Sequence, residues 1–152
     1  MIHGTDEGLV HLPPASFSNA GTALMSFDRS GFDYATVYVS VGALATNAAT
    51  LAVVSLTECD TTVVSNFATF TGSSVGGNWA VATLGSSVGK FQVDLRARKR
   101  YIALNITNAT TTVIIGAIAR LTRGHTSRDT ATAESISNIS NTTAAVSNIV
   151  TL

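Results

Sequence analysis

Charge is scarce in this chain of 152 residues: nine basic and nine acidic side chains make up 12% of it and cancel to a net charge of zero. A small domain with so few charges is expected to turn much of its surface toward protein rather than water. Cysteine is nearly missing. Cys59 stands alone, so no disulfide can close within the chain; this excludes the stapled secreted class and fits assembly in a reducing cytoplasm. The opening MIHGTDEGLVHLPP has neither the basic start nor the apolar run of a secretory leader. No stretch approaches the ~20 apolar residues of a membrane span, so no membrane partner is expected. Metal ligands are thin as well. His3, His11 and His125 lie far apart with no Cys, Asp or second His at ligand spacing, and Asp6-Glu7 lacks the glycine-turned, oxygen-rich loop of a calcium site. A G-x-x-x-x-G-K phosphate loop is absent too, and no cofactor is expected.

What is abundant is Thr, Ser, Ala, Val and Gly, with apolar residues at 45%. β-Branched side chains pack well on a pleated surface and lose rotamer freedom in a helix, so this composition favours sheet. The run Lys90–Arg123, KFQVDLRARKRYIALNITNATTTVIIGAIARLTR, carries the plainest signal. Phe91, Val93 and Leu95 alternate with Gln92, Asp94 and Arg96; Ile102, Leu104 and Ile106 alternate with Tyr101, Ala103 and Asn105; Val113–Leu121 is nearly all apolar. Period-two alternation is what a half-buried strand requires. Strands are expected at Thr22–Asp28, Asp33–Val41, Thr50–Cys59, Thr62–Phe67, Asn78–Thr83, Lys90–Leu95, Arg100–Ile106 and Thr112–Leu121. Turn signals fall between them at Arg29-Ser30-Gly31, Thr46-Asn47, Gly72 to Gly77, Gly85 to Gly89 and Asn108-Ala109. Eight short strands with polar turns describe a single all-β domain, an antiparallel β-sandwich of jelly-roll type.

The segment Phe27–Leu44, FDRSGFDYATVYVSVGAL, and the blocks DLRARKRYIALNIT and IGAIARLTRG together resemble a group of small tailed-phage virion proteins. In that group a "GFDYATV"-like, a "DLRxRKRYI"-like and an "AIARLTRG"-like strand recur in this order and spacing. The resemblance covers roughly Ala20–Gly124, and its motifs mark fold rather than chemistry. It implies a structural role as a capsid decoration or cement protein, with the major capsid protein as partner and the capsid surface of the virion as location.

Three segments follow from composition. Residues 1–19 mix Gly, Pro and Ser, with Pro13-Pro14 set against a regular ladder, and read as an extended N-terminal arm. Residues 20–124 form the sandwich. Residues 125–152, rich in Ser, Thr and Asn and free of aromatics, read as a C-terminal arm that cannot bury a core of its own. Within it Ile136, Ile139, Thr143, Val146 and Val150 recur at the three-four spacing of a coiled-coil seam. Ser, Asn and Thr disfavour an autonomous helix there, so an extended arm on the capsid competes with a short trimeric bundle.

Charge is unevenly placed. Asp6, Glu7, Asp28, Asp33, Glu58 and Asp60 face only Arg29 in the first 60 residues, while Lys90, Arg96, Arg98, Lys99, Arg100, Arg120, Arg123 and Arg128 face only Asp94 in the next 68. Such asymmetry suits head-to-tail packing of copies or docking on an acidic shell; the alternative is an ordinary solvated surface. Arg96, Arg98, Lys99 and Arg100, beside Tyr101, raise nucleic-acid binding, but alternation sends them to different faces, and arginine's planar fork suits carboxylates of a neighbouring protein. The pentapeptide GSSVG occurs at Gly72–Gly76 and Gly85–Gly89 and formally matches a nucleophile elbow. That motif needs a strand turning into a helix in an α/β sheet, so these read as glycine-serine turns and no enzyme is expected. Trp79 and the phenylalanines raise a sugar platform, although a sandwich of this size needs most of them as core. The reading is a homo-oligomeric decoration protein, expected as a trimer, with Arg96, Arg98, Lys99, Arg100, Ile136, Ile139, Val146 and Val150 at protein interfaces. The competing class is a head-fibre or tail-fibre module that binds a receptor or glycan.

Overall fold

A computed structural model describes residues 7–43, 49–74, 79–81, 86–123 and 149–151. The described residues form ten strands: β1 (Glu7–Phe17), β2 (Thr22–Asp28), β3 (Tyr34–Ala43), β4 (Ala49–Cys59), β5 (Ala68–Ser74), β6 (Trp79–Val81), β7 (Ser86–Asp94), β8 (Tyr101–Asn108), β9 (Val113–Thr122) and β10 (Ile149–Thr151). The described residues contain no α-helix; a single 3-10 turn spans Val64–Asn66.

Alternation decides how these strands stack. Ala23, Met25 and Phe27 of β2, Val37, Val39 and Val41 of β3, Phe91 and Val93 of β7, Ile102, Leu104 and Ile106 of β8, and Val113, Ile115, Ala119 and Leu121 of β9 all point into one core. Full burial of a Leu, Ile or Phe contributes about 1.5–3 kcal/mol before ordering costs, so this two-sided core is the main force holding the layers together. One sheet runs β1-β9-β3-β7-β10 and the other β2-β8-β4-β5, with β6 on the first residues of β4. The pairs β1·β9, β2·β8, β3·β7 and β4·β5 are all antiparallel. The chain is therefore one long hairpin, doubled back between β4 and β5 and rolled so that its rungs alternate between the sheets, which is the jelly roll.

Three expectations change. Glu7–Phe17, read as part of a free arm, is an edge strand on β9; the ladder shifts register between Leu12 and Ala15, where Pro13-Pro14 sit. Prolines are tolerated there because an edge strand has one side without partners and a bulge absorbs the missing donors. Thr62–Phe67, read as a strand, holds the 3-10 turn with Val63 and Val64 exposed, and the strand starts at Ala68 instead. Both GSSVG copies lie partly in strands rather than wholly in turns: Gly72–Ser74 ends β5, and Ser86–Gly89 opens β7.

Of the tail, Ile149–Thr151 returns to the sandwich as β10, parallel to β7, with Ile149 opposite Lys90, Val150 opposite Phe91 and Thr151 opposite Gln92.

Candidate functional site

Two surfaces gather the chain's exposed functional groups. The first is the charged end of the sandwich, around the β7–β8 connection. Arg96 grips Asp94 through Nη2 at 2.5 Å and Nε at 2.9 Å. Arg100 donates twice to Asp28, at 2.8 and 2.9 Å. The Lys99 ammonium lies 3.8 Å from Asp60, and its backbone N–H donates to Glu58. Arg29 and Arg123 donate to the carbonyls of Lys99 and Gly31, tying the turns together. Hydrogen bonds from Arg100 and the Ser30 amide hold the Asp28 carboxyl below the usual carboxylate range, and Arg96 does the same for Asp94. Both arginines are pushed up in return, each by hydrogen bonding to its carboxylate.

Arg98 differs from its neighbours. Its guanidinium stacks 4.2 Å from the Phe70 ring centre, and its buried Nε has no hydrogen-bond acceptor among the described residues. The four basic residues singled out by sequence thus lie together, with three of them occupied by carboxylates of the same chain. Of the tail positions, Val150 lies in β10, while Ile136, Ile139 and Val146 fall outside the described residues.

The second surface is the outer face of the β1-β9-β3-β7 sheet. Register aligns His11, Ile118, Tyr38 and Lys90 as one rung across four strands, so their side chains share a face. The next rung holds Leu9, Arg120, Thr36 and Gln92, and the one beyond it Glu7, Thr122, Tyr34 and Asp94. Leu9 is 74% exposed and Ile118 51%, far above what a buried strand would show. Beside them lies a groove of about 290 Å³ lined chiefly by His11, Leu12, Pro14, Tyr38, Val88 and Ile118. Lys90 sits over the Tyr38 ring at 5.9 Å and Arg96 over Tyr34 at 5.2 Å, so the charged rim leans on the aromatic rings. Glu7 and Arg120 form an ion pair at the far edge. This face was missed in the sequence. Its signal was Val113–Leu121, a strand apolar at outward as well as inward positions.

Among the described residues no three His, Cys, Asp or Glu side chains come close enough to hold a metal ion. The Cys59 thiol is buried against Thr61, whose hydroxyl and N–H lower its pKa. Ser87, the central serine of the second GSSVG, is buried at the second position of β7.

The fold places the chain in the class of jelly-roll β-sandwiches. No protein-family model matches it, and neither does any curated protein. Among solved structures it is similar to the CBM22-1 and GH10 modules of Clostridium thermocellum xylanase 10B complexed with xylohexaose, at 12% identity and a TM-score of 0.44. That match covers 78% of this chain and 27% of the xylanase chain, so this chain spans about a quarter of it. It is also similar to the Tobacco streak virus coat protein dimer, at 10% identity and a TM-score of 0.40 over 82% of this chain and 91% of that one. A second crystal form of that coat protein gives 8% identity and a TM-score of 0.38.

Proposed function

We propose that this chain is a phage virion structural protein of the capsid decoration type: a homotrimer that docks on the assembled shell of major capsid protein and clamps neighbouring subunits. The observation that carries the reading is the outer face of the β1-β9-β3-β7 sheet, where Leu9, Ile118 and Tyr38 stand in solvent beside an apolar groove. Contiguous apolar surface of this kind marks a protein contact, because leaving it wet costs roughly 25 cal/mol for each Å². The motif resemblance over Ala20–Gly124 supplies the kind of assembly. The mechanism is mechanical. A protein that binds only the closed shell stabilises that state by mass action, by about 2.7 kcal/mol per site at a hundredfold excess over Kd. A glycan-binding fibre module finds less support at this face, since the groove offers few polar groups to a sugar beyond His11, the Tyr38 hydroxyl and Ser40.

The test is Ile118→Lys. Because Ile118 is half exposed, the free protein should keep its thermal midpoint within about 2 °C, as surface substitutions usually do. Copies per particle, measured by quantitative gel on purified virions, should fall at least about tenfold from a wild-type level in the hundreds. Undiminished occupancy in the variant, or a wild-type count of only a few copies, would overturn the proposal.

A further inference from the structure

We infer that the free edge of β2 is an interface, and that its occupant is the β2 edge of a second copy of this chain, joined antiparallel across a two-fold axis. The Gly21 carbonyl accepts from the Asn108 N–H and the Arg29 N–H donates to the Arg100 carbonyl, and both pairs continue the β2–β8 register. In an antiparallel ladder the main-chain groups of alternate residues point to opposite sides. The odd-numbered residues of β2 therefore bond to β8, and Thr22, Leu24, Ser26 and Asp28 turn their N–H and C=O groups outward. Among the described strands β2 pairs with β8 alone, and no backbone bond outside that ladder reaches these four residues.

The other described sheet edges are guarded. Pro13-Pro14 break the β1 ladder, the β5 ladder shifts register between Ser55 and Thr57, and the sheet beyond β7 ends in the short β10, Ile149–Thr151. Prolines, bulges and short strands are the devices that keep a sheet edge from pairing with another chain. β2 has none of them. Its sequence, TALMSFD, pairs with β8 without a break, contains no proline or lysine, and carries its one charge at the end, on Asp28.

A second copy is selected because this strand fits itself. Turned antiparallel about Met25, it sets Leu24 against the partner's Ser26 and Thr22 against the partner's Asp28, so every outward residue of both chains is opposed by another. Four such pairs exchange two bonds each, about eight in all, inside the range of roughly 5–15 direct hydrogen bonds that a specific interface carries. Sliding the strands by two residues in either direction loses one of the four pairs. Charge sets the direction. Parallel strands in register would lay Asp28 beside the partner's Asp28, whereas antiparallel ones carry the two carboxylates to opposite ends, roughly 20 Å apart. An antiparallel match of one strand with itself is the isologous contact that two identical chains make, and no unlike partner is needed to complete it. The inference goes beyond the assembly reading and does not rest on it; within that reading, the contact would join one trimer to the next.

Sedimentation of the free full-length protein at micromolar concentration tests the contact with no shell present. The wild type should sediment as an even number of copies. Leu24→Pro removes one outward N–H while leaving the β8 ladder whole, as prolines on edge strands do, and its mass should fall by half. A mass unchanged by that substitution, or a wild type that sediments as a monomer or a trimer, would overturn the inference; the trimer would leave the assembly reading standing. A second measurement keeps the strand intact, in case the proline variant fails to fold. Tagged Leu24→Cys and untagged Ser26→Cys chains are co-expressed and mildly oxidised with buried Cys59 left in place. Directly opposed residues lie about 5.5 Å apart at Cα, within disulfide reach, and residues two places off do not, so the tagged–untagged heterodimer should exceed either homodimer about tenfold on a non-reducing gel. Homodimers as abundant as the heterodimer, or no cross-linked product at all, would overturn the inference.

Discussion

The Asn108 carboxamide, 1% exposed, donates from Nδ2 to the carbonyls of Phe17, Ser18 and Thr111 and accepts from the Thr110 N–H. It closes the end of the sandwich where β1 turns into β2 and β8 into β9. Removing such a group takes the donor from the part-buried carbonyls of Phe17, Ser18 and Thr111 at once, and water replaces it only in part. Asn108→Ala should therefore destabilise the protein by about 2–3 kcal/mol, read as a lower urea midpoint at unchanged slope. The sequence showed Asn108 only as a turn residue. Its partners at Phe17 and Ser18 lie some ninety positions away, and no local pattern reports a bond of that span. Arg98 was invisible in the same way: its place in a basic run was plain, its stacking on Phe70 was not.

Strands were legible wherever one face was buried, because a core writes its period into the residues. β2, β3, β7, β8 and β9 fall near the expected positions for this reason. Edge elements carry a weaker imprint. β1 buries Val10 and Leu12 only in part, so its prolines dominated the pattern and masked the strand. β5 was displaced because the apolar pair Val63-Val64 imitates a strand yet lies in solvent. How closely β1 is held is measurable at Gly116 of β9, where an added Cβ would lie 3.2 Å from Pro14 Cγ and 3.4 Å from Pro14 Cα. Gly116→Val should push the bulge outward at a cost of about 1–3 kcal/mol. Limited proteolysis should then cut within residues 7–17 sooner than in the wild type, while β2 to β9 stay protected; equal cleavage rates would mean that β1 does not depend on this contact. The outer-face site was legible only in part. Tyr38 and Ile118 were visible as residues, but their alignment with His11 and Lys90 is a product of register, which sequence alone does not fix.

Across the whole molecule, the acidic first part and the basic later part meet inside the fold: Asp28 with Arg100, Asp60 with Lys99, Glu7 with Arg120. The separation read from the sequence is thus largely consumed within the chain, which leaves less of it for neighbours. These pairs are open to water, and their individual worth is small. Asp28 offers the cleanest probe of them. Its folded carboxyl titrates below its unfolded value, so its stabilisation is complete above that unfolded value, near pH 4, and fades as pH falls further through the folded pKa. Asp28→Asn should cost less than about 1 kcal/mol at pH 7, after allowance for solvent screening. The difference in thermal midpoint between variant and wild type should narrow as pH falls below about 4; a gap independent of pH would trace the cost to the Ser30 turn instead. The rolled hairpin has a further consequence, for synthesis on the ribosome. β1 finds its partner only when β9 emerges, and 96 positions separate Phe17 from its register partner Val113. At about 5–20 residues per second the nascent β1 waits roughly 5–20 s, a bare edge among other growing chains. Pro13-Pro14, which cost the finished sheet a break in its ladder, deny that waiting strand to any foreign partner, as gatekeeper residues do.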